Sequence, residues 1–532
     1  MNAPSTPDPA APASITPETE TGIDVLIAGA GPTGLVLALW LTRLGVRVRI
    51  IDKTPEPGTT SRALAVQART LEFYAQLGLA DAVVERGRQV EAINLWVTGN
   101  RVTRAVFGQL GAGFSPFPFA LVFPQDEHER LLIDQLASLG VRIERQTQLL
   151  RFEEATGHIL VHLKLPDGAE QSCPAAFLAG CDGAHSVVRQ SLNIGFPGGE
   201  YTHLFYVADV DASGPVANGE LHVGLDKADF LAVFPLKGEG RLRLVGTIRD
   251  QQAQQADQHR DQLSWEDISK KVIGWIRIDV RRVNWFSTYR VHHRVAERFR
   301  RGRAFLLGDA AHIHSPVGGQ GMNTGIGDAV NLAWKLAAVL RRRAPESILD
   351  TYEPERIAFA RRLVETTDRA FTAVISPTAL ARFVRLRLVP LILPAFFSVA
   401  LSRRYLFRTV SQTAIHYRHS SLSQGRTGLI HGGDRLPWVR SDFNHGLGNF
   451  AALTSLDWQV HVYGNATPEL HSACAQRKLA LHVFPWHREM THTGLRPHAL
   501  YLIRPDGYIA LADPEARVTV LTTYLDSRGI VA

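Results

Sequence analysis

Residues 29–34, Gly-Ala-Gly-Pro-Thr-Gly, stand between an apolar run and a helix-forming run, and that setting fixes the first layer of the fold. Ile23 to Ala28 has the composition of a short buried strand, and Leu35 to Leu41 that of the helix after it. Val46 to Ile51 reads as the next parallel strand, ending at Asp52. Strand, glycine turn, helix and strand in this order form the dinucleotide-binding unit of an open α/β sheet. Gly29 permits the tight turn, Gly31 lets the backbone approach a pyrophosphate, and Gly34 lets helix and strand pack closely. The helix opened by Pro32 and Thr33 presents unpaired N–H groups and a positive dipole end to phosphates. Asp52, about 20 residues past the glycines, suits a ribose hydroxyl. Lys53 beside it belongs to the same candidate set.

A second glycine-rich segment lies far along the chain. Ala304 to Leu307 is an apolar run that ends at Gly308-Asp309. A carboxylate at a strand's C-terminal end, here Asp309, accepts hydrogen bonds from a polyol. The run from Pro316 through Gly319 and Gly321 then enters a helix reading from Asn323 to about Leu340. Pro316, Gly319, Gly321, Met322 and Asn323 allow backbone to lie flat against a ring. The N–H groups at this helix start stabilise negative charge, such as that at the pyrimidine edge of a reduced flavin. The two segments together describe one large cofactor held at both ends.

A third stretch, Asp182-Gly183-Ala184-His185-Ser186-Val187-Val188-Arg189, follows the strand-like Phe177 to Cys181. With these three motifs in order, the chain resembles the single-component flavin aromatic hydroxylases typified by p-hydroxybenzoate hydroxylase, including the phenol hydroxylase and polyketide hydroxylase branches. The resemblance covers about Ile23 to Tyr352. It implies a tightly held FAD, with Asp182 near its pyrophosphate. Ser61-Arg62-Ala63-Leu64, with Gln67 and Arg69, resembles the loop that brings an arginine to the cofactor; Arg62 is the candidate. Gln125, ahead of Asp126 and Glu127, resembles the glutamine on the adenosine side. NADPH or NADH is implied as a transient co-substrate, since no second GxGxxG is visible.

The same resemblance implies the fold: a Rossmann-like α/β domain for FAD, an inserted antiparallel-sheet (α+β) substrate domain, and a C-terminal domain. Residues 1–22 are expected to form a disordered tail. The FAD domain is expected over 23–195 and 286–375, and the substrate sheet over 196–285. In that sheet, His203–Val210, Glu220–Val223, Phe230–Pro235 and Arg241–Gly246 read as strands. A helical segment at 376–430 closes the substrate side. Residues 431–532 resemble the thioredoxin-like domain of the phenol and polyketide hydroxylases, with strands at Trp458–Gly464 and Leu479–Phe484 and a hairpin around Pro505-Asp506-Gly507. Thioredoxin chemistry needs two cysteines and Cys474 stands alone, so packing or oligomer contact is the expected role.

Composition sets limits. A net charge of +7 over 532 residues is mild, so nucleic acid is not indicated, although excess Lys and Arg attract anionic substrates and NADPH. Cys173, Cys181 and Cys474 have no metal or CxxC spacing, which suits a reducing cytoplasm, and no metal site is expected. The N-terminal tail lacks the basic and apolar regions of a secretory signal. Leu388 to Leu401 is apolar but too short to span a membrane. Its arginine flanks leave peripheral membrane contact conceivable, while a pair of broken helices packed on the core is the preferred reading. A homodimer is possible.

The activity implied is FAD-dependent monooxygenation: O2 and NAD(P)H hydroxylate a phenolic or polyketide aromatic through a flavin C4a-hydroperoxide. Two other readings stay open: a Baeyer–Villiger-type oxygenase on the same fold, and a non-catalytic flavoprotein that sequesters a ligand. The catalytic acid or base on the substrate side is not assigned. His312 and His314 lie beside the flavin loop and read first as loop-tethering histidines. Arg241 and Arg243 share one strand face, towards cavity or solvent. The Ser61 to Leu64 loop lacks the acid some phenol hydroxylases carry, so simple-phenol hydroxylation is in doubt.

Overall fold

A computed structural model of the chain describes residues 22–58, 63–225, 230–248, 264–268, 273–274, 276–315, 319–375, 378–440 and 446–531. Arg62, Pro316 and the expected tail up to residue 21 lie outside the described residues.

Val25–Ala28 is the hub of a six-stranded sheet. It pairs in parallel with Val48–Ile51 on one side and Phe177–Gly180 on the other. Ala304–Leu306 extends the sheet in parallel beyond Phe177–Gly180, and Ile143–Glu144 extends it beyond Val48–Ile51. Val25, Leu26 and Ile27 have no exposed surface, as expected of a parallel strand covered on both faces. The Pro32–Arg43 helix packs on this sheet against the Gln125–Ser138 helix and the long Gly321–Leu340 helix. All three motifs therefore meet at the C-terminal ends of the strands, where ligands bind in open α/β sheets.

The second sheet has eight strands and is broader than expected. Its central members are Gly198–Ser213, Arg241–Ile248, Phe230–Pro235 and Leu221–Leu225, antiparallel to one another in that order. Two features differ from the sequence reading. Ala92–Val97 and Asn100–Val106, assigned to the FAD domain, complete one edge, and Ala92–Val97 pairs with Leu221–Leu225 in parallel. The sheet is therefore mixed rather than purely antiparallel. On the other side, Asp279–Val295 runs 17 residues along Gly198–Ser213, straight through the expected boundary at residue 285. Its many arginines and scattered polar residues hide its period of two.

The segment after Tyr352–Ile375 forms broken helices, Ala379–Phe383, Val389–Ser398 and Ala400–Val410. The expected packing on the core is found only in part, through Phe407 and the partly buried Phe397. No residue of the first two helices is buried, and in the third Phe407 alone is, at 4% exposure. Pro390 and Pro394 keep this stretch short, so it cannot lay a long face on the core. Among the described residues no single helix is long and apolar enough to cross a membrane.

The C-terminal sheet places Gln459–Tyr463 parallel to Ala480–Phe484 across the Pro468–Gln476 helix. Leu500–Ile503 joins the other side antiparallel, Ile509–Asp513 follows it, and the Val518–Ser527 helix closes the unit. This unit is locked to the rest of the chain. Arg504, fully buried, donates to both Glu355 oxygens at 2.8 and 3.0 Å and to Asp506 at 2.6 Å. Lys335 Nζ reaches the same Glu355 at 2.8 Å, and Arg69 donates to the Asp506 carbonyl at 2.6 Å. Arg69 thus serves the hairpin of the C-terminal unit and not the cofactor end of its loop.

Candidate functional site

The three glycines of the first turn do different work. Gly29 has φ +104, and a Cβ there would overlap the Cys181 carbonyl. A Cβ on Gly34 would overlap the Gly29 carbonyl. These two glycines let turn, helix and strand close on one another. Gly31 differs: its backbone is extended, and a Cβ there meets no protein atom within 4 Å. The turn therefore presents bare backbone outward at one residue, next to the Thr33 and Gly34 N–H groups that precede the first intrahelical bond, Leu35 N to Gly31 O at 3.0 Å.

Asp52 braces this turn. One carboxylate oxygen accepts from the Ala30 N–H at 2.7 Å, and the other from the Thr54 N–H and hydroxyl at 2.8 and 2.6 Å. A carboxylate has about four acceptor positions, so capacity remains for a hydroxyl. Lys53 beside it is exposed. Gln125 opens its helix and donates to Glu129 at 2.7 Å. Glu129 is a charged neighbour of Gln125 that the sequence reading did not single out. It is buried, and desolvation raises its pKa against the pull of the Gln125 hydrogen bond. Its position one helical turn after Gln125 was the available signal.

Thr33 ties the first motif to the second. Its hydroxyl sits where a Cβ on Gly308 or Gly325 would go, so the two glycines admit it. Arg189 ties the third motif in, donating to the Ala310 and Ala184 carbonyls at 2.8 Å each. Asp182 caps the short helix after it, accepting from Val187 N at 2.7 Å and Val188 N at 3.2 Å. Its other oxygen is buried without a partner among the described residues. Asp309 is exposed on the turn Gly308–Ala310.

At the Gly321–Leu340 helix start, Thr324 N to Gln320 O at 2.9 Å is the first helical bond. The N–H groups of Gly321, Met322 and Asn323 precede it. The Asn323 side chain works internally, accepting from Gln67 N and the Thr70 hydroxyl and donating to the Ala65 and Gly319 carbonyls. Only its backbone is left for a ligand. Gly319 has φ +60, and a Cβ there would come within 2.6 Å of Ala65. His312 is tethered, with Nε2 at 2.7 Å from buried Asp328, which also holds Arg356 at 2.6 Å. His314 lies beside Gly321; burial pushes its pKa down to about 4, and its Nε2 is buried without a partner among the described residues. The outward Gly31, the unpartnered Asp182 oxygen and the helix-start amides fit a flavin dinucleotide.

One face of the eight-stranded sheet turns towards this ring end. The register aligns Phe205 with Tyr289 and Thr247, Val207 with Ser287 and Val245, and Asp209 with Trp285 and Arg243. Small buried Val207, Ala232 and Val245 make a floor, and Phe230, Phe234, Trp285 and Tyr289 border it. Phe234 also packs with Leu64 and Val122 of the FAD-binding half, which fixes the direction of the face. The opposite face, with Leu204, Tyr206 and Leu244, is covered by Ile273 and Ile278. Arg243 is on the inner face, 2% exposed, and held by Asp209 at 2.6 and 2.7 Å. Arg241 is exposed at the rim of a cavity of about 60 Å³ shared with Asp126 and Lys237.

A dinucleotide turn joined through one threonine to a ring-sized helix start, facing a wall of aromatic side chains, defines a flavoprotein of the oxygenase type. Comparison with known proteins agrees. Residues 22–367 match the family described as FAD binding domain. The 6-methylpretetramide 4-monooxygenase of Streptomyces rimosus is 34% identical, covering 96% of this chain and 94% of that protein. The solved structure of OxyS anhydrotetracycline hydroxylase from Streptomyces rimosus is 29% identical with a TM-score of 0.74, covering 96% of this chain and 99% of that one. A ternary complex of aklavinone-11 hydroxylase with FAD and aklavinone is 25% identical with a TM-score of 0.75, covering 96% and 99%. The chain belongs to the FAD binding domain family, and it is an FAD-dependent monooxygenase.

Proposed function

We propose that this protein hydroxylates a flat, multi-ring phenolic substrate, using O2 and NAD(P)H. The observation that carries the reading is the inner sheet face: a floor of Val207, Ala232 and Val245 bordered by Phe230, Phe234, Trp285 and Tyr289. Small residues in the middle of this face suit a flat ring system, which the aromatic edges would grip through offset or edge contacts. The names of the relatives, which carry 6-methylpretetramide, anhydrotetracycline and aklavinone, support the same class.

Bound FAD supplies the activation of O2 with electrons from NAD(P)H. The chain supplies position, electrostatics and dryness. Gly29, Gly31, Pro32, Thr33, Gly34, Asp52, Lys53 and Gln125 serve the adenosine and pyrophosphate half. Asp182 and Asp309 serve the linking hydroxyls and phosphates. Gly319, Gly321, Met322 and Asn323 face the ring, with their helix-start N–H groups directed at negative charge there. Apolar walls exclude water from the slot, which protects a reactive intermediate from hydrolysis. The Arg243–Asp209 pair marks the polar end of the same face and orients phenolic oxygens. We read the C-terminal unit as thioredoxin-like in topology and without dithiol chemistry; its strand order and the lone, buried Cys474 support this.

The test is a panel of single-ring and fused-ring phenols, with NADPH oxidation followed under ¹⁸O₂. Fused-ring phenols should stimulate oxidation and give a product carrying one ¹⁸O atom. Stimulation by no fused-ring compound, or product without ¹⁸O, would refute the substrate class.

A further inference from the structure

Apart from Phe397 and Phe407, the broken helices at 379–410 present apolar side chains that no described residue covers. Leu380, Phe383, Leu391, Ile392, Leu401 and Tyr405 are all exposed, Leu391 at 72% and Leu401 at 76%. A contiguous surface of this kind marks an interaction site on a soluble domain. The charge on the same stretch has one sign. Arg382, Arg385, Arg387, Arg403, Arg404 and Arg408 lie within 379–410, which contains no Asp, Glu or Lys. The helices over 379–398 and 401–410 are bent by 100° to each other, so the pair lies flat on a surface more readily than it inserts across one.

We propose that this helical pair docks the protein on an anionic lipid surface. Apolar side chains whose charged complement is arginine alone are the composition of helices that lie in the membrane interface. Anionic headgroups attract such arginines. The alternative occupant, a second copy of this chain, is disfavoured by the same charge. A two-fold interface sets the patch against itself, and a stretch whose charged residues are all arginines would meet its own copy with no acid to pair with.

The patch is also connected to the flavin end. Phe407 anchors the foot of the last helix beside Phe114, with ring centroids 6.5 Å apart. Gln320, the residue before the Gly321–Leu340 helix, donates to the Val410 carbonyl at 2.7 Å and accepts from Gln412 at 2.7 Å. A docked surface would therefore sit one hydrogen bond from the start of the ring-facing helix.

The experiment uses the full FAD-loaded protein and co-sedimentation with vesicles of pure phosphatidylcholine or of phosphatidylcholine with phosphatidylglycerol. Binding should require the anionic lipid and fall at high salt. Two double variants should each lose on the order of tenfold or more in binding: Arg382→Glu with Arg387→Glu, and Leu391→Asp with Ile392→Asp. Both should keep flavin content and NADPH oxidation in detergent-free buffer. No binding by the wild type, or equal binding to both vesicles, overturns the proposal. So does a wild-type dimer in solution that the Leu391 and Ile392 changes split into monomers while vesicle binding is nil.

Discussion

Single residues separate the glycines that build the site from the one that faces its ligand. Gly31 has φ −77, a conformation any residue adopts, and its missing side chain opens onto no protein atom within 4 Å. Gly31→Val should therefore fold with near wild-type stability and yet retain almost no FAD after gel filtration. Retention of stoichiometric flavin would show that this backbone does not approach the cofactor. The same substitution at Gly29 or Gly34 should fail to fold, because the added carbon collides with backbone. His128 carries a pH consequence. It is buried, hydrogen-bonded to Tyr74 at 2.7 Å, and desolvation lowers its pKa from 6.5 to about 3. Between those values the unfolded chain binds a proton the folded chain refuses. Stability is then intact above pH 6.5 and falls as pH drops towards 3, by up to roughly 1.4 kcal/mol per pH unit from this site. Urea unfolding at pH 5 and pH 7 should show a smaller difference for His128→Gln than for wild type.

Elements with a periodic signature were legible in the sequence, and elements shaped by distant partners were not. The Val25–Ala28 strand, its glycine turn and the Pro32–Arg43 helix follow from contiguous apolar residues and punctuation. Phe230–Pro235 was read to the residue. Asp279–Val295 escaped because only its partner strand gives its polar side chains a reason to alternate. Ala92–Val106 escaped because its pairing with Leu221–Leu225 spans more than a hundred residues of chain. At the site, Asp52 and the helix-start amides were legible from motif spacing, whereas the aromatic slot arises from cross-strand register, which no local window contains. Asn323 shows the difference in one residue. Its place at the start of a helix was readable, but its four internal hydrogen bonds to segments 65–70 and 319 were not. Asn323→Ala leaves those buried groups unpaired. A loss of roughly 3 kcal/mol is expected, together with weaker flavin binding, as the start of the helix loosens from the 65–70 loop. Equilibrium unfolding of the flavin-free protein reads the first effect and flavin titration the second.

At the scale of the whole molecule, the C-terminal unit is part of one cooperative body. Cys474 is 1% exposed, and burial raises its thiol to about 11, so Cys474→Ser should leave NADPH-dependent turnover per bound flavin unchanged. A large specific loss with normal flavin content would make the thiol part of the chemistry. What the unit contributes instead is the hairpin at Pro505-Asp506-Gly507. Its Arg504 reaches Glu355 on the Tyr352–Ile375 helix, and Glu355 in turn holds Lys335 on the ring-facing helix. Nearby, Arg435 pairs with buried Glu72, which also holds Arg69. Ions this deeply buried cost more to desolvate than a surface pair, so each depends on its partners being present. Neighbouring charges keep the Glu355 carboxyl well below the usual range, Arg504 foremost and then Lys335, against a desolvation that acts the other way. Arg504→Met removes the larger of those contributions and leaves buried Glu355 with Lys335 as its charged partner beside the neutral donors Asn331 and Ser420. The expected cost is about 3–5 kcal/mol, as for breaking a buried pair from one side. Calorimetry should give one transition for the wild type and, for the variant, a lowered transition or two separate ones. Wild-type cooperativity and midpoint in Arg504→Met would mean that the Arg504–Glu355 pair does not couple the two halves.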